Sequence, residues 1–507
     1  MSTSPQPSIA IQTIRTIIDE RADTLPDAVF LIDPDSGKSI TYGDLQQQVR
    51  GVADHIADRG IAPGDAVAYA MSNSPQAAIV ILGIMYGGYL ATAINLVAGN
   101  SVISYVLTHS ETKLIFANDA GIAALETPLG QIPEIPVEPI SSGLFNSKLS
   151  QAQALTNEPS GGLLMYTSGT TGRPKGVVLS HGNLIAGGNN SALAHQLGQN
   201  DCGMCVLPLY HINGLCVTLM ATLVAGGTLV IPPKFSVSTF WQTIIQQRCT
   251  WFSIVPTQIS YLLHENSEVP PKSQLSNVRF GRSASAPLSP DVQSTFEKKF
   301  GIVIIETMGL TETAAQILSN PLPPGIRKIG SPGVAYGNEV RIGDQSQIEV
   351  PRGTEGEVLV RGSNVMQLYL KNEDATSEAI TPEGWLRTGD LGRMDEDGYV
   401  YITGRLKELI IKGGENIAPR EIDEALHSHA DVVEAAAFAR KCDQYGERVE
   451  AAVMTSEGSK VTEADLIKLC QEKLGAFKTP DRIYFLPELP KGPSGKIQRI
   501  KLAELYG

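Results

Sequence analysis

Apolar residues in this chain fall into short unbroken runs separated by longer segments in which they recur every three or four positions. The runs at 67–70 and 114–117 flank a helical pattern at 75–86, and the order repeats as a run at 204–208, a helical pattern at 214–223 and a run at 228–231. Gly226-Gly227 stops the second helix just before its strand. Two further apolar runs, 163–166 and 177–179, face each other across a loop rich in glycine and hydroxyl side chains. Strands alternating with helices predict α/β layers with largely parallel sheets. The character changes near 339–361, where short alternating strands and a glycine turn at Pro351-Arg352-Gly353-Thr354-Glu355-Gly356 predict a small β-rich subdomain. Beyond Gly404 the chain reads as a separate α+β unit whose clearest helices are 421–427 and 463–474. The expected architecture is α/β: an N-terminal domain over 1–403, made of two α/β sheet subdomains and the β-rich one, followed by a small C-terminal domain over 404–507. A Pro-rich surface connector is expected at 133–142, and no internal repeat or low-complexity tract interrupts the pattern.

Composition narrows the classes of function. The 507 residues carry 40 Lys+Arg against 53 Asp+Glu, a net charge of −13, which makes nucleic acid and anionic membranes poor generic partners. Any anion must therefore be held by local chemistry. The apolar stretch from 77 to 98 contains Gly83, Gly87, Gly88 and Asn95, so it is read as a buried helix followed by a loop rather than a membrane span. The N-terminus lacks a basic run followed by an apolar core, and the C-terminus carries no lipidation or peroxisomal signal. A cytoplasmic protein is expected. The six cysteines are scattered, and Cys202-Gly-Met-Cys205 is a lone pair of the kind usually found as small core residues near a strand.

The densest chemistry lies in Thr167-Ser168-Gly169-Thr170-Thr171-Gly172-Arg173-Pro174-Lys175-Gly176. Its run of hydroxyls and glycines lets backbone and side-chain donors approach a polyphosphate closely, and Lys175 adds a mobile positive charge. It is not a Walker loop, which needs four residues between its first glycine and Gly-Lys and a Ser/Thr after the lysine. Here two residues separate Gly169 from Gly172, and Gly176 follows Lys175.

At these residues the chain resembles the adenylate-forming superfamily of acyl-CoA synthetases, amino-acid adenylation domains and firefly luciferase. The resemblance continues through Pro208-Leu209-Tyr210-His211, Gly309-Leu310-Thr311-Glu312, Gly384-Trp385-Leu386-Arg387-Thr388-Gly389-Asp390, Gly404-Arg405-Leu406-Lys407-Glu408 and Pro493-Ser494-Gly495-Lys496. It implies a carboxylate–CoA ligase using ATP, Mg²⁺ and coenzyme A, working on a small-molecule carboxylate in two half-reactions. It also implies a role for each matching residue. Thr167 through Gly172 and Lys175 would hold phosphates. Thr311 would bond the α-phosphate, and Glu312, with Thr170, would hold Mg²⁺. Asp390 would accept the ribose hydroxyls and Arg405 would reach ribose and phosphates. Adenine would lie against Ser283, Ala284 and Ser285, with Met308 where relatives often carry a stacking tyrosine. Lys496 would bridge carboxylate and α-phosphate. Lys407 would be the hinge of a mobile C-terminal domain, whose other face brings Lys412, Gly413 and Gly414 to the pantetheine arm of CoA. A homodimer is left open.

His211, Asn213, Trp251, Arg282, Gly309 and Ala315 are candidate walls of the acyl pocket, with His211 at the family's gating position. His211 is also readable as a core histidine, and Arg282 either pairs with a second anionic end of the acid or faces outward. The stretch from Ser319 to Gly325 is similar to oxalate–CoA ligases of plants and fungi, yet those carry histidines where Asn213 and Ala315 stand. Bulky Trp251 and polar Asn213 point to a short acid, with a sulfonate among the options for its far end. Two alternatives remain: a stand-alone adenylation enzyme that loads a carrier protein, and a binding protein without chemistry. The first would place an Asp near His211-Ile212-Asn213-Gly214, where none stands, and the second would not keep Glu312, Asp390, Arg405 and Lys496.

Overall fold

In the computed structural model, residues 12–132, 134–146, 161–167, 173–264, 270–442, 444–492 and 497–506 are described. Among them the strands form four sheets. A seven-stranded sheet has at its centre Gly162–Thr167, Leu90–Ala93, Ala66–Ala70 and Leu114–Ala117, all parallel. A nine-stranded sheet is built around the parallel strands Ile304–Leu310, Phe280–Ser283, Trp251–Ile254, Cys202–Cys205 and Thr228–Val230. Strands buried on both faces read as continuous apolar runs, which is why 67–70 and 114–117 announce themselves so plainly.

The helix Pro75–Tyr86 packs against the seven-stranded sheet at Leu90–Ala93 and Ala66–Ala70. Ser74 caps it by accepting from Ala77 N–H, proline occupies its first turn, and every residue from Ala77 to Tyr86 is buried. Its neighbour Tyr42–Asp58 starts in a reciprocal cap between Thr41 and Asp44 and presents Leu45, Val49, Val52 and Ile56 to the same core. Gly83 allows the two helices to touch, since a Cβ there would stand 2.6 Å from Val52 Cβ.

The four-stranded antiparallel sheet Glu339–Gly343, Gly356–Arg361, Leu386–Met394 and Val400–Arg405 is the β-rich subdomain. Its last strand runs two residues past the boundary drawn at 403, because Asp390 and Arg405 are paired across it. The 3₁₀ turn Leu406–Glu408 follows, and a separate sheet begins at Ile410–Lys412. That sheet also contains Val432–Cys442 and Gly446–Thr455 and carries the helices Pro419–His427 and Glu463–Leu474.

Two sequence expectations need correction. The connector at 133–142 contains the strand Val137–Pro139, which adds a parallel edge next to Leu114–Ala117. The helical segment at 214–223 is a π-helix over Asn213–Met220 that becomes α-helical over Ala221–Ala225. Thr218 Oγ1 donates to the carbonyl of Gly214 inside that wide turn, the kind of side-chain insertion that distorts a helical ladder. Gly214 is required there, because a Cβ would meet the Pro208 carbonyl oxygen at 2.4 Å.

Candidate active site

The segments that follow the parallel strands Gly162–Thr167, Phe280–Ser283 and Ile304–Leu310 carry much of the motif chemistry, as expected of open α/β sheets. Gly162–Thr167 runs antiparallel to Lys175–Leu179 with Thr167 opposite Lys175, so the phosphate loop joins two strands. Ser168, Gly169, Thr170, Thr171 and Gly172 lie outside the described residues, as does Lys496. The ammonium of Lys175 stands 4.8 Å from the ring centre of Tyr369, a cation–π distance. The Tyr369 hydroxyl in turn donates to Glu312 Oε1 at 2.8 Å. Burial, reinforced by that carboxylate, holds the phenol well above its ordinary range. Tyr369 thus ties the phosphate loop to the Thr311–Thr313 turn, and no motif in the sequence marks it.

Thr311 and Glu312 open that turn at the end of strand Ile304–Leu310. The chain then doubles back into Ala315–Ser319. The return is so tight that a Cβ on Gly309 would sit 1.6 Å from the Ala315 carbonyl oxygen. Ala314 and Ala315 take φ of 46° and 80°, and Ser285 takes 74°. Non-glycine residues in this left-handed region are costly, and they cluster at sites where a backbone must be aimed.

A cavity of about 210 Å³ is lined by Ser285, Met308, Gly309, Asp390, Arg405 and Glu306, among others. Ser283 ends the adjoining strand and Ala284 follows, both buried. Asp390 Oδ1 and Arg405 Nε are 2.9 Å apart. Arg405 is raised above its ordinary range: burial acts against its charge, but Asp390, Glu408 and Glu312 outweigh it. At the inner end Glu306 is fully buried and accepts from Leu288 N–H at 3.3 Å. Burial pushes its carboxyl up to about 7. The volume and the lining groups suit a nucleoside: a carboxylate able to accept from vicinal hydroxyls and a cation beside it.

A second cavity, of about 400 Å³, has His211, Tyr210, Tyr166 and Pro174 on the large-domain side and Lys491, Gly492 and Gln498 on the C-terminal side. Lys491 and Ile497 are bridged antiparallel, so the described residues on either side of 493–496 stand at this cleft. The hinge candidate Lys407 is exposed in its 3₁₀ turn. Gly413 and Gly414, with φ of 60° and 86°, form the tip of the hairpin between Ile410–Lys412 and Glu415–Ile417. Neither glycine lines either cavity, and Lys412 is folded inward, donating to the carbonyl of Phe477 at 3.0 Å.

Behind His211 lies a buried polar cluster. Arg282 is 1% exposed; its Nη1 donates to Asn213 Oδ1 at 2.8 Å and to Ser253 Oγ at 3.2 Å. Ser253 Oγ also donates to Asn213 Oδ1, and Asn213 Nδ2 donates to Ser285 Oγ at 3.1 Å. Arg282 Nε has no hydrogen-bond partner among the described residues, and burial pulls the guanidinium down to about 9. Trp251 sits deeper than a pocket wall. It is 1% exposed and stacked on Phe280 at 5.9 Å, one pleat below Ser253 on the same face of the strand. Ala315 is buried with its carbonyl against Gly309.

This assembly has counterparts among known proteins. The AMP-binding enzyme family model matches residues 18–370, and the model of the AMP-binding enzyme C-terminal domain matches 421–496. A sulfoacetate–CoA ligase of Cupriavidus necator is 44% identical, with 99% of each chain covered. An oxalate–CoA ligase of Arabidopsis thaliana is 35% identical, covering 97% of this chain and 98% of that one. The crystal structure of ATP-bound MatB from Rhodopseudomonas palustris superposes with a TM-score of 0.86 at 30% identity, covering 98% and 99%. With two domains, a nucleotide-sized cavity between them and relatives matched end to end, the chain belongs to the AMP-binding enzyme family and is an ATP-dependent, AMP-forming carboxylate–CoA ligase.

Proposed function

We propose that the acid is short and carries a second anionic end, with sulfoacetate the first candidate, and that this end is received by Asn213 with the charge of Arg282 behind it. The observation that carries the reading is the buried guanidinium. Its hydrogen-bond partners are the neutral Asn213 and Ser253, and no carboxylate among the described residues forms an ion pair with it. A cation taken out of water without a counter-ion costs several kcal/mol, and an anionic substrate supplies one. The hydrogen bonds also fix the Asn213 amide. Its oxygen is occupied by Arg282 and Ser253, so its NH₂ is the group turned toward Ser285, which lines the nucleotide cavity. A donor at that place favours sulfonate or carboxylate oxygen over a methyl group. The 44%-identical relative is named for sulfoacetate and others for oxalate, both doubly anionic acids.

In this reading the carboxylate oxygen of the acid attacks the α-phosphorus of ATP. An O–P bond forms, the bond to the bridging oxygen of the β-phosphate breaks, and pyrophosphate leaves. The sulfur of CoA then attacks the acyl carbon, and AMP departs with the oxygen it gained. Attack of one anion on another is governed by positioning and charge neutralisation. Thr167 to Gly172 and Lys175 hold the outer phosphates, Thr311 the α-phosphate, and Asp390 with Arg405 the ribose. Ser283, Ala284, Ser285 and Met308 face the base. Glu312, a hard oxygen donor of the kind Mg²⁺ prefers, would hold that ion, and bound Mg²⁺ would neutralise phosphate charge. The C-terminal domain contributes Lys496 to the first step. Rotation at Lys407 then brings Gly413 and Gly414 to the thiol.

The test is acid-dependent AMP and thioester formation with sulfoacetate, malonate and oxalate against acetate, propionate and butyrate. The doubly anionic acids should lead by roughly tenfold or more in kcat/KM, about 1.4 kcal/mol. Monocarboxylates used equally well would refute the substrate reading. Release of pyrophosphate only with amino acids would favour carrier loading.

A further inference from the structure

The two cavities that Lys491 borders differ in position. One holds His211; the other, of about 470 Å³, is an outer cleft with Lys234, Phe235, Gln258 and Tyr261 on its walls. Lys491 and Tyr210 line both, so the lysine side chain stands where outer cleft meets inner. Its contacts cross the domain boundary. Lys491 Nζ donates to the hydroxyl of Tyr261, on helix Pro256–His264 of the large domain, at 2.7 Å. From its own domain Glu434, 2% exposed on strand Val432–Cys442, lies 2.9 Å away, and Glu488 flanks it at 3.7 Å. Only 14% of the lysine side chain is exposed.

Other contacts join the domains, such as Arg420 to the carbonyl of Ile402 at 2.7 Å and His264 to that of Ala430 at 3.4 Å. Neither involves the segment that leads into Lys496. Lys491 does, and its bond is half-buried and charge-assisted, the stronger kind of hydrogen bond. Burial of Lys491 acts against its charge, and Tyr261 and Glu434 outweigh it, raising it above the usual lysine range.

We propose that Lys491 is a positioning residue that bolts the C-terminal segment to Tyr261 for the adenylation step and must let go before a thiol can use the outer cleft. The bolt favours one arrangement of the domains, so its loss shifts the population away from that arrangement. The two half-reactions should then respond in opposite senses. The proposal rests on the two-step ligase chemistry and not on which acid is used.

The experiment measures each half-reaction separately in the full-length enzyme. Acid-dependent exchange of pyrophosphate into ATP reports the first; thioester formation from supplied acyl-adenylate and CoA reports the second. Every variant is assayed with an acid that the unmodified chain activates, so a wrong guess about the acid leaves the comparison intact. Tyr261→Phe removes only the cross-domain oxygen and leaves Lys491 beside Glu434. It should slow the exchange about tenfold and leave the thioester step equal or faster. Lys491→Met should slow the exchange further, roughly 30- to 100-fold, and adding Tyr261→Phe to it should cost little more. Should Lys491→Met fold poorly because Glu434 is left unpaired, Tyr261→Phe alone decides the matter. Equal losses in both halves, a loss confined to the thioester step, or no loss in either would overturn the proposal.

Discussion

The two ends of the cleft solve the problem of holding an anion in different ways. At the nucleotide end the chain uses surface-connected groups gathered from many elements: the strand-joining phosphate loop, Glu312 tied to Tyr369, and Asp390 paired with Arg405. At the acyl end one guanidinium is built into the core among neutral partners, 1% exposed. In the role proposed for it, the first arrangement would neutralise charge that every substrate shares, whatever acid is activated. The second can discriminate, since a fixed buried cation rewards one class of acid and leaves others with a desolvated charge to face. In the proposed reading, common chemistry belongs to the gathered residues and substrate choice to the buried one.

The sharpest way to break that division is Lys496→Ala. If Lys496 is the donor proposed for the reacting phosphate, its removal costs about 3–4 kcal/mol, so acyl-adenylate formation should fall by roughly 10²-fold or more. The loss should be the same for every acid, as read by pyrophosphate release across an acid panel; a loss restricted to doubly anionic acids would move Lys496 to the other side of the comparison. Next in size is Gly309→Ala. A Cβ 1.6 Å from the Ala315 carbonyl forces the tight return after Thr311 to open. Stability should drop by about 2–3 kcal/mol, visible as a lowered Tm, with ATP affinity falling in parallel for all acids.

An effect of similar size at its extreme, but confined to a pH window, concerns Glu306. Burial raises its carboxyl to about 7 in the folded chain, above its value in an unfolded one. Between about pH 4.5 and 7 the folded state holds a proton that the unfolded state has released, so this residue makes stability fall as pH rises through that window. Glu306→Gln keeps an acceptor for Leu288 N–H but cannot ionise. Its Tm relative to the unmodified chain should therefore rise from about pH 5 to about pH 8, by an amount on the order of 2–3 kcal/mol in stability. A difference independent of pH would mean that the carboxyl is not held protonated.

Much of the nucleotide end was legible because its residues occupy runs with unusual chemistry. The strands at 163–166 and 177–179 and the helix at 75–86 reappear as Gly162–Thr167, Lys175–Leu179 and Pro75–Tyr86. Tyr369 escaped notice because it works through distance in space: it lies far along the chain from both Lys175 and Glu312, in a two-residue strand paired to Lys175–Leu179. The acyl end was harder to read. The strand Phe280–Ser283 is buried at all four positions, so alternation could not say which way Arg282 points. The same limit applies to Trp251: bulk suggested a wall, but only Ser253, two residues on, reaches the polar cluster, while the indole stacks on Phe280. The π-helical turn at Asn213–Met220, which helps to set the Asn213 amide, has no reliable sequence signature.

The most direct test of the buried cation compares kcat/KM for sulfoacetate and for propionate in Arg282→Met and in the unmodified enzyme. If that cation selects the acid, the variant should lose roughly 30-fold or more on sulfoacetate, about 2 kcal/mol, while propionate is unchanged or improved. An equal loss on both acids, with the preference between them preserved, would contradict it.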